Sequence, residues 1–175
     1  MGFIVSTIAS KDMESARIVM RRLMWSLNDE SGGIGWGAPE AMGEIMACHE
    51  GLANEFVHIL VSYIREDGNF IEYELLQRGV LWGIGRLAQV MPDILRQRNI
   101  EHMLLLHLTS SDPIIRALAV WTIGLIGIEE SRPRVQTLLT DNTKVQIYFN
   151  RNLVIRTIAK IAEEALAQVE DCRGA

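Results

Sequence analysis

Apolar residues recur along this chain at the three- and four-residue spacing that places them on one face of a helix. Four segments show this pattern, and each one predicts a helix with a single buried side. The chain is therefore expected to be mostly helical. The apolar positions are Ala16, Val19, Met20, Leu23 and Leu27; Leu52, Phe56, Ile59, Leu60 and Tyr63; Ile100, Met103, Leu104 and Leu108; and Val135, Leu138 and Leu139.

A second pattern places a small residue inside other predicted helices: an apolar residue, then Gly or Ala, any residue, and Ile or Leu. The small residues stand at positions 9, 43, 85, 124 and 159, separated by 34, 42, 39 and 35 residues. Steps of this length are typical of arrays of helical pairs. Helices approach closely only where one of them lacks a bulky side chain, so we expect these helices to pack in series.

Two kinds of local signal mark where the predicted elements begin. Asp112 followed by Pro113 predicts a helix start, with the aspartate as N-cap and the proline in the first turn. Pro39 indicates a similar start before Met42, and Thr157 a cap for a final helix over 158–169.

The segment before that final helix is the exception to the helical pattern. Residues 145–149 and 153–157 are rich in β-forming side chains and flank a turn that contains asparagines. A hairpin over 145–155 is therefore predicted. The alternative is one long helix through this region.

The repeat pattern predicts a single domain over 1–175, folded as an all-α, right-handed superhelix of about four helical pairs. Residues 1–10 correspond to the second helix of an upstream repeat whose first helix is missing. An open end of this kind exposes an apolar face, so we expect another subunit to cover it, or the chain to be a shortened form of a longer protein. The repeats are assigned to 15–48, 51–90, 92–127 and an irregular last one, 130–170.

The stretch from Asp112 to Ala119, ending in Ile123-Gly124-Leu125-Ile126-Gly127, resembles the second helix of a HEAT repeat. The similarity is greatest to the subtype named after phycobilisome lyases. It covers nearly the whole chain and is strongest over 36–127, and residues 25–40 also look like uncharacterised bacterial HEAT-repeat proteins. This resemblance implies a HEAT/armadillo-like solenoid and says almost nothing about activity.

Composition narrows the classes of partner. The formal net charge of −5 argues against a general nucleic-acid binder, because such proteins use a basic surface to displace counterions. Cys48 and Cys172 have no ligand-like spacing, and charges interrupt every apolar run before it could span a membrane. We therefore expect a cytoplasmic protein without a metal or cofactor, and without contact to a membrane.

The loop over 28–37 is unusually long and glycine-rich for a connection within a helical pair. Gly33, Gly35 and Trp36 are candidate partner-binding residues, since glycines permit unusual backbone angles and amides before a helix can bind an anion. The alternative is a compact structural loop. The next connection is acidic at 66–74, and together the two loops predict an edge where a basic partner could dock or where the carboxylates are merely solvated.

Trp82 and Trp121 stand three residues before Gly85 and Gly124, at matching repeat positions, and Glu40 holds that place in a flanking repeat. All three are candidate partner-binding residues. The two tryptophans either line a concave binding groove or belong to the core between repeats. Tryptophan and arginine are favoured anchors in binding sites. The candidate partner-binding arginines nearby are Arg78, Arg86 and Arg116.

Catalytic signals are sparse. His49-Glu50 is one His-Glu pair, whereas the HEAT-type iron hydroxylases need several, and His107 falls on an apolar stripe typical of a packed core residue. No catalytic residue is assigned. The predicted function is a non-catalytic scaffold that binds a protein or peptide. The alternative is a HEAT-type enzyme, either a bilin-lyase-like chromophore attachment protein or a DNA-base excision enzyme.

Overall fold

The computed structural model describes residues 1–28 and 35–171. Within these ranges the chain is mostly helical and carries one small antiparallel sheet close to the C-terminus. The chain divides into two compact units, Met1–Arg98 and Asn99–Ala175. The helices are α1 (Gly2–Ala9), α2 (Met13–Leu27), α3 (Ala38–Cys48), α4 (Glu50–Ser62), α5 (Glu74–Ala88), α6 (Pro92–Arg96), α7 (Glu101–His107), α8 (Pro113–Ile126), α9 (Arg132–Thr137) and α10 (Ile158–Asp171), and the strands are β1 (Lys144–Phe149) and β2 (Asn152–Thr157).

The first unit is built around α3. This helix packs against α1 on one side and α5 on the other, and it also contacts α2 and α4. Its apolar side chains Met42, Ile45 and Met46 are fully buried. The predicted helices of this unit are therefore present, and the short helix α6 is an addition that the periodicity did not predict.

Glycines set the closest approach inside the first unit. A Cβ placed on Gly43 would lie 2.4 Å from the Cα of Gly83, so the backbones of α3 and α5 touch there. The sequence pattern predicted close packing at Gly43, and the structure shows it. The residue that faces Gly43 is Gly83, which stands two positions before the Gly85 of the repeat pattern. Which glycine of α5 faces α3 depends on how the helix is rotated about its own axis.

The second unit is built on α8 and α10. A Cβ on Gly124 would lie 2.7 Å from the Cα of Ala165, which again brings a predicted small position against a neighbouring helix. Helix α7 packs on α8, and α9 packs on α10. Two short 3₁₀ turns, Glu129–Ser131 and Leu138–Thr140, stand on either side of α9.

The predicted hairpin is confirmed, and the long-helix alternative is wrong. Strands β1 and β2 pair antiparallel from Lys144 opposite Thr157 to Phe149 opposite Asn152. Asn150 and Arg151 form the two-residue turn, and both have positive φ, as tight hairpin turns require. The β-branched and aromatic side chains of this segment favour strands, although the rest of the chain is helical. The strands are stabilised because one of their faces buries Val145 and Ile147.

The predicted helix starts are also confirmed. Oδ1 of Asp112 accepts hydrogen bonds from the backbone N–H groups of Ile114 and Ile115, at 2.8 and 3.4 Å, and Pro113 occupies the first turn of α8. The hydroxyl of Thr157 accepts a hydrogen bond from the backbone N–H of Lys160. These caps satisfy donors that the first turn of a helix leaves free.

Candidate functional site

An exposed aromatic pair joins the two connections that the sequence placed along one edge. The rings of Trp36 and Tyr73 meet edge to face, with centroids 6.0 Å apart. Trp36 is 60% exposed and Tyr73 is 47% exposed. Aromatic side chains of this size are normally buried on folding, so an exposed and mutually supported pair is a candidate contact surface.

Two glycines place Trp36 on the surface. Gly37 has a φ of +74° and precedes the first residue of α3, a backbone angle that side-chain-bearing residues rarely adopt. Gly35 lies against the end of α2, since a Cβ on it would lie 2.7 Å from the carbonyl oxygen of Ser26. These two glycines bracket Trp36 in the chain, and its indole lies on the surface. The predicted candidate Gly33 lies outside the described residues, as does most of the 28–37 loop.

The second connection is pinned to the end of α4. The backbone N–H of Ile71 donates to the carbonyl of Tyr63 at 3.1 Å, and the side-chain amide of Asn69 donates to the hydroxyl of Ser62 at 3.2 Å. Arg65 donates two hydrogen bonds to the Asp67 carboxylate, at 2.9 and 2.6 Å. These bonds fix the route of the connection and so hold Tyr73 at the start of α5.

Carboxylates flank one member of the aromatic pair along the chain. Glu72 and Glu74 flank Tyr73 in sequence, and both are exposed. From 66 to 77 the sequence contains four acidic residues and no lysine or arginine. We call this surface the acidic edge; its residues are Trp36, Glu66, Asp67, Phe70, Glu72, Tyr73 and Glu74.

A partly buried carboxylate, that of Glu40, lies in α3 next to the acidic edge in sequence. Glu40 rests on α5 at Gly79, where an added Cβ would lie 2.6 Å from its Oε2 atom. That oxygen is buried and has no hydrogen-bond partner among the described residues. Burial raises the pKa of the Glu40 carboxyl, because removing water disfavours the charged form.

The candidate arginines are occupied within the fold. Nε of Arg86 donates to Glu44 at 2.6 Å, which ties α5 to α3. Arg116 donates to Asp141 at 2.9 Å and to the carbonyl of Ser110 at 2.8 Å. Arg78 is partly buried and also has an interaction within the chain. These contacts favour structural roles for the arginines over roles in partner binding.

The two candidate tryptophans belong to different units. Trp82 is partly buried in α5 of the first unit, and Trp121 is partly buried in α8 of the second. The ring of Trp121 lies 4.7 Å from that of Phe149, so the hairpin packs over it. The sequence analysis did not predict that Phe149 contacts Trp121. Helical periodicity shows which residues share a face of α8, but it does not show which distant strand packs on that face.

Tyr73 is the functional candidate that the sequence argument missed. Its signal was an aromatic residue between two glutamates immediately before a predicted helix. His107, by contrast, is the predicted core histidine: it is 9% exposed, and its Nδ1 lies 2.8 Å from the carbonyl oxygen of Met103.

The first unit also has a concave surface away from the aromatic pair. The first unit has an open pocket of about 480 Å³ lined by polar residues, among them Glu50, Asn54 and Gln97, and by apolar residues of 90–94. In residues 1–28 and 35–171, no three His, Cys, Asp or Glu side chains come together as metal ligands would. Within the same ranges, no helix combines the length and apolarity needed to cross a membrane.

Comparison with known proteins adds little beyond this geometry. No protein-family model matches the chain, and no solved structure matches it. An uncharacterised protein of Archaeoglobus fulgidus is 34% identical over 84 residues, which are 46% of this chain. The chain spans about 40% of the length of that relative.

Proposed function

We propose that this chain is a non-catalytic, HEAT-type scaffold that binds a protein or peptide partner, and that the acidic edge makes the contact. The partner segment is basic and carries apolar side chains that pack on Trp36 and Tyr73. The observation that carries the proposal is this exposed pair of rings, one of which has an exposed glutamate on either side of it in sequence.

The packing inside each unit supports the HEAT-type assignment. In the first unit α3 contacts both α1 and α5, so the helices predicted as second members of successive repeats lie side by side. In the second unit α8 and α10 make the corresponding contact at Gly124. Serial packing of equivalent helices is the arrangement expected of a solenoid.

The construction of the acidic edge supports binding. Its route is fixed by hydrogen bonds from Ile71 and Asn69 to the end of α4 and by the contact of Gly35 with α2. A surface that is already ordered loses little conformational entropy when a partner binds. Its charge attracts a basic segment, and its two rings offer cation–π contacts to lysine or arginine.

The test is a binding titration with the full chain. The probe is a fluorescein-labelled peptide that alternates lysine and leucine, and its twin carries glutamate in place of each lysine. We expect the basic peptide to bind and the acidic twin not to bind. Trp36→Ala should weaken binding about tenfold or more, because exposed aromatic anchors contribute about 2 kcal/mol at binding hot spots.

Trp25→Ala is the matched control, because Trp25 is 73% exposed on α2 and belongs to the same unit. It should leave both binding and the melting temperature unchanged. Equal weakening by Trp25→Ala and Trp36→Ala would contradict the assignment to the acidic edge. So would equal affinity for the basic peptide and its acidic twin.

A further inference from the structure

The hairpin of the second unit presents an apolar outer face. Alternation along the strands buries Val145 and Ile147 on the inner face. On the outer face, Leu153 is 61% exposed and Ile155 is 67% exposed, and Tyr148 opposite Leu153 is 46% exposed. This face is therefore a strip of apolar side chains open to solvent.

The sheet also has unpaired edges. It contains two strands, and no third strand joins it in the part of the chain that the structure describes. In an antiparallel pair, every second residue of each strand directs its N–H and C=O away from the partner strand. Short, charged or covered edges protect many proteins from strand addition; here both strands are six residues long beside an apolar face.

The charge of the hairpin has one sign. From 142 to 162 the sequence contains Lys144, Arg151, Arg156 and Lys160 and no carboxylate. Arg156 pairs with Glu164, and Lys160 pairs with Glu163, both on α10. Lys144 and Arg151 are exposed, so the hairpin surface is positive.

The position of Arg151 is informative because its backbone is unfavourable for arginine. Its φ is +65° in a turn where glycine is the favoured residue. A side chain at such an angle destabilises the turn relative to glycine. The arginine therefore places a guanidinium at the tip of the hairpin at the expense of local stability.

From these observations we infer that the hairpin binds an extended acidic peptide segment by strand addition. The peptide's backbone pairs with a free strand edge, its apolar side chains pack on Tyr148, Leu153 and Ile155, and its carboxylates meet Lys144 and Arg151. A second hairpin is a poor occupant of the same edge, because two positively charged hairpins repel each other. This surface lies in the other unit from the acidic edge and has the opposite charge, so the two proposals stand or fall separately.

The experiment titrates the full chain with a fluorescein-labelled peptide in which one strand face carries valine at its central positions and glutamate at both ends, with threonine on the other face, because Lys144 lies on the same face as Tyr148. One twin peptide carries lysine in place of glutamate, and a second is N-methylated on alternate amides, which removes strand hydrogen bonds. We expect the first peptide to bind and both twins to bind at least about tenfold more weakly. A weakening of this size corresponds to the loss of one or two charge-assisted or backbone hydrogen bonds. Equal binding of the three peptides would overturn strand addition to a basic hairpin.

Arg151→Gly separates binding from folding. It should raise the melting temperature, because glycine relieves the positive φ, and weaken the acidic peptide about tenfold. Ile155→Ser should weaken the peptide while Leu139→Ser, a change of another exposed apolar residue of the same unit, should not. Arg151→Gly binding with unchanged affinity would overturn the inference. Two further results would also overturn it: a dimer in sedimentation that Ile155→Ser dissociates, and displacement of the peptide by oligothymidine.

Discussion

Two partly buried carboxylates, one in each unit, differ in how their oxygens are paired. Asp141 in the second unit accepts hydrogen bonds from Arg116 at 2.9 and 3.3 Å and from the backbone N–H of Thr143 at 3.0 Å. Glu40 in the first unit lies against the backbone of α5 at Gly79, and its buried Oε2 has no partner among the described residues. One carboxylate is fully engaged, and the other is left partly unsatisfied.

The difference shows in the pKa of each group. Burial alone would raise the pKa of Asp141, but the hydrogen bonds from Thr143 and Arg116 outweigh it and lower that pKa below 3.8. Burial raises the pKa of Glu40, and no cation offsets it. Buried polar groups are normally paired, and exceptions concentrate at functional sites. The exception here stands on the helix whose N-terminus carries Trp36 of the acidic edge.

Removing the partner of Asp141 should have the largest effect. Arg116→Met keeps the apolar stem but leaves a carboxylate that is 18% exposed without its cation. We expect a loss of about 2–3 kcal/mol in the free energy of unfolding, somewhat less than for a fully buried pair. Urea unfolding at neutral pH measures it.

The pH dependence of that loss checks the cause. A carboxyl whose folded pKa is lowered stabilises the fold above its unfolded pKa, and this contribution disappears as pH falls through the folded value. The difference between Arg116→Met and the unchanged chain should therefore shrink below about pH 4. A difference that stays constant down to pH 2 would mean that the lost stability came from packing.

Gly83→Ala should have the next largest effect. The added Cβ would lie 2.7 Å from the backbone carbonyl oxygen of Pro39, and a backbone cannot move aside as a side chain can. Overpacking of this kind costs about 2 kcal/mol even after the higher helix propensity of alanine is counted. Thermal unfolding gives the value. An unchanged melting temperature would show that α3 and α5 can separate at this point.

Glu40→Gln should stabilise the fold by about 1 kcal/mol at neutral pH, because it removes a partly buried charge whose Oε2 has no hydrogen-bond partner among the described residues. In the unchanged chain, the raised pKa of Glu40 determines how stability depends on pH. Its stability should rise as pH falls from neutral through the folded pKa toward 4.5, where the unfolded carboxyl also takes up a proton. The variant should lack this rise. Parallel stability curves for the two proteins between pH 4 and 7 would contradict the assignment.

Gly79→Ala should have the smallest net effect. The three atoms nearest to the added Cβ all belong to the end of the flexible Glu40 side chain, so the carboxylate can rotate away from it. A gain of up to about 1 kcal/mol in helix propensity then offsets the rearrangement. The variant should be about as stable as the parent and should lose the pH-dependent rise assigned to Glu40. Destabilisation as large as that of Gly83→Ala would show that Glu40 cannot move.

Much of the secondary structure followed from local pattern. The apolar stripes predicted α2, α4 and α7, and the capping residues predicted where α8 and α10 begin, because periodicity and capping act within a few residues. The hairpin followed from its β-forming runs and the asparagine turn. The short helix α6 was missed, because five residues are too few to show a period.

The candidate site was predictable in outline. The sequence placed the 28–37 and 66–74 connections on one edge, and Trp36 does contact the second connection. The sequence marked Tyr73 only as an aromatic residue between two glutamates, since its contact with Trp36 depends on how α3 and α5 are set against each other. The roles of Arg86 and Arg116 were also hidden, because their acidic partners Glu44 and Asp141 are distant in sequence.

The sequence by itself determined the helices, their caps and the hairpin, since these depend on residues close together along the chain. The tertiary structure decided that Gly43 faces Gly83 and not Gly85, that Oε2 of Glu40 is buried without a partner in the described part of the chain while the Asp141 carboxylate is paired with Arg116, and that Trp36 meets Tyr73. Each of these depends on the rotation and offset of packed helices. Side-chain shape across the whole interface sets that rotation, and no single segment of the sequence contains it.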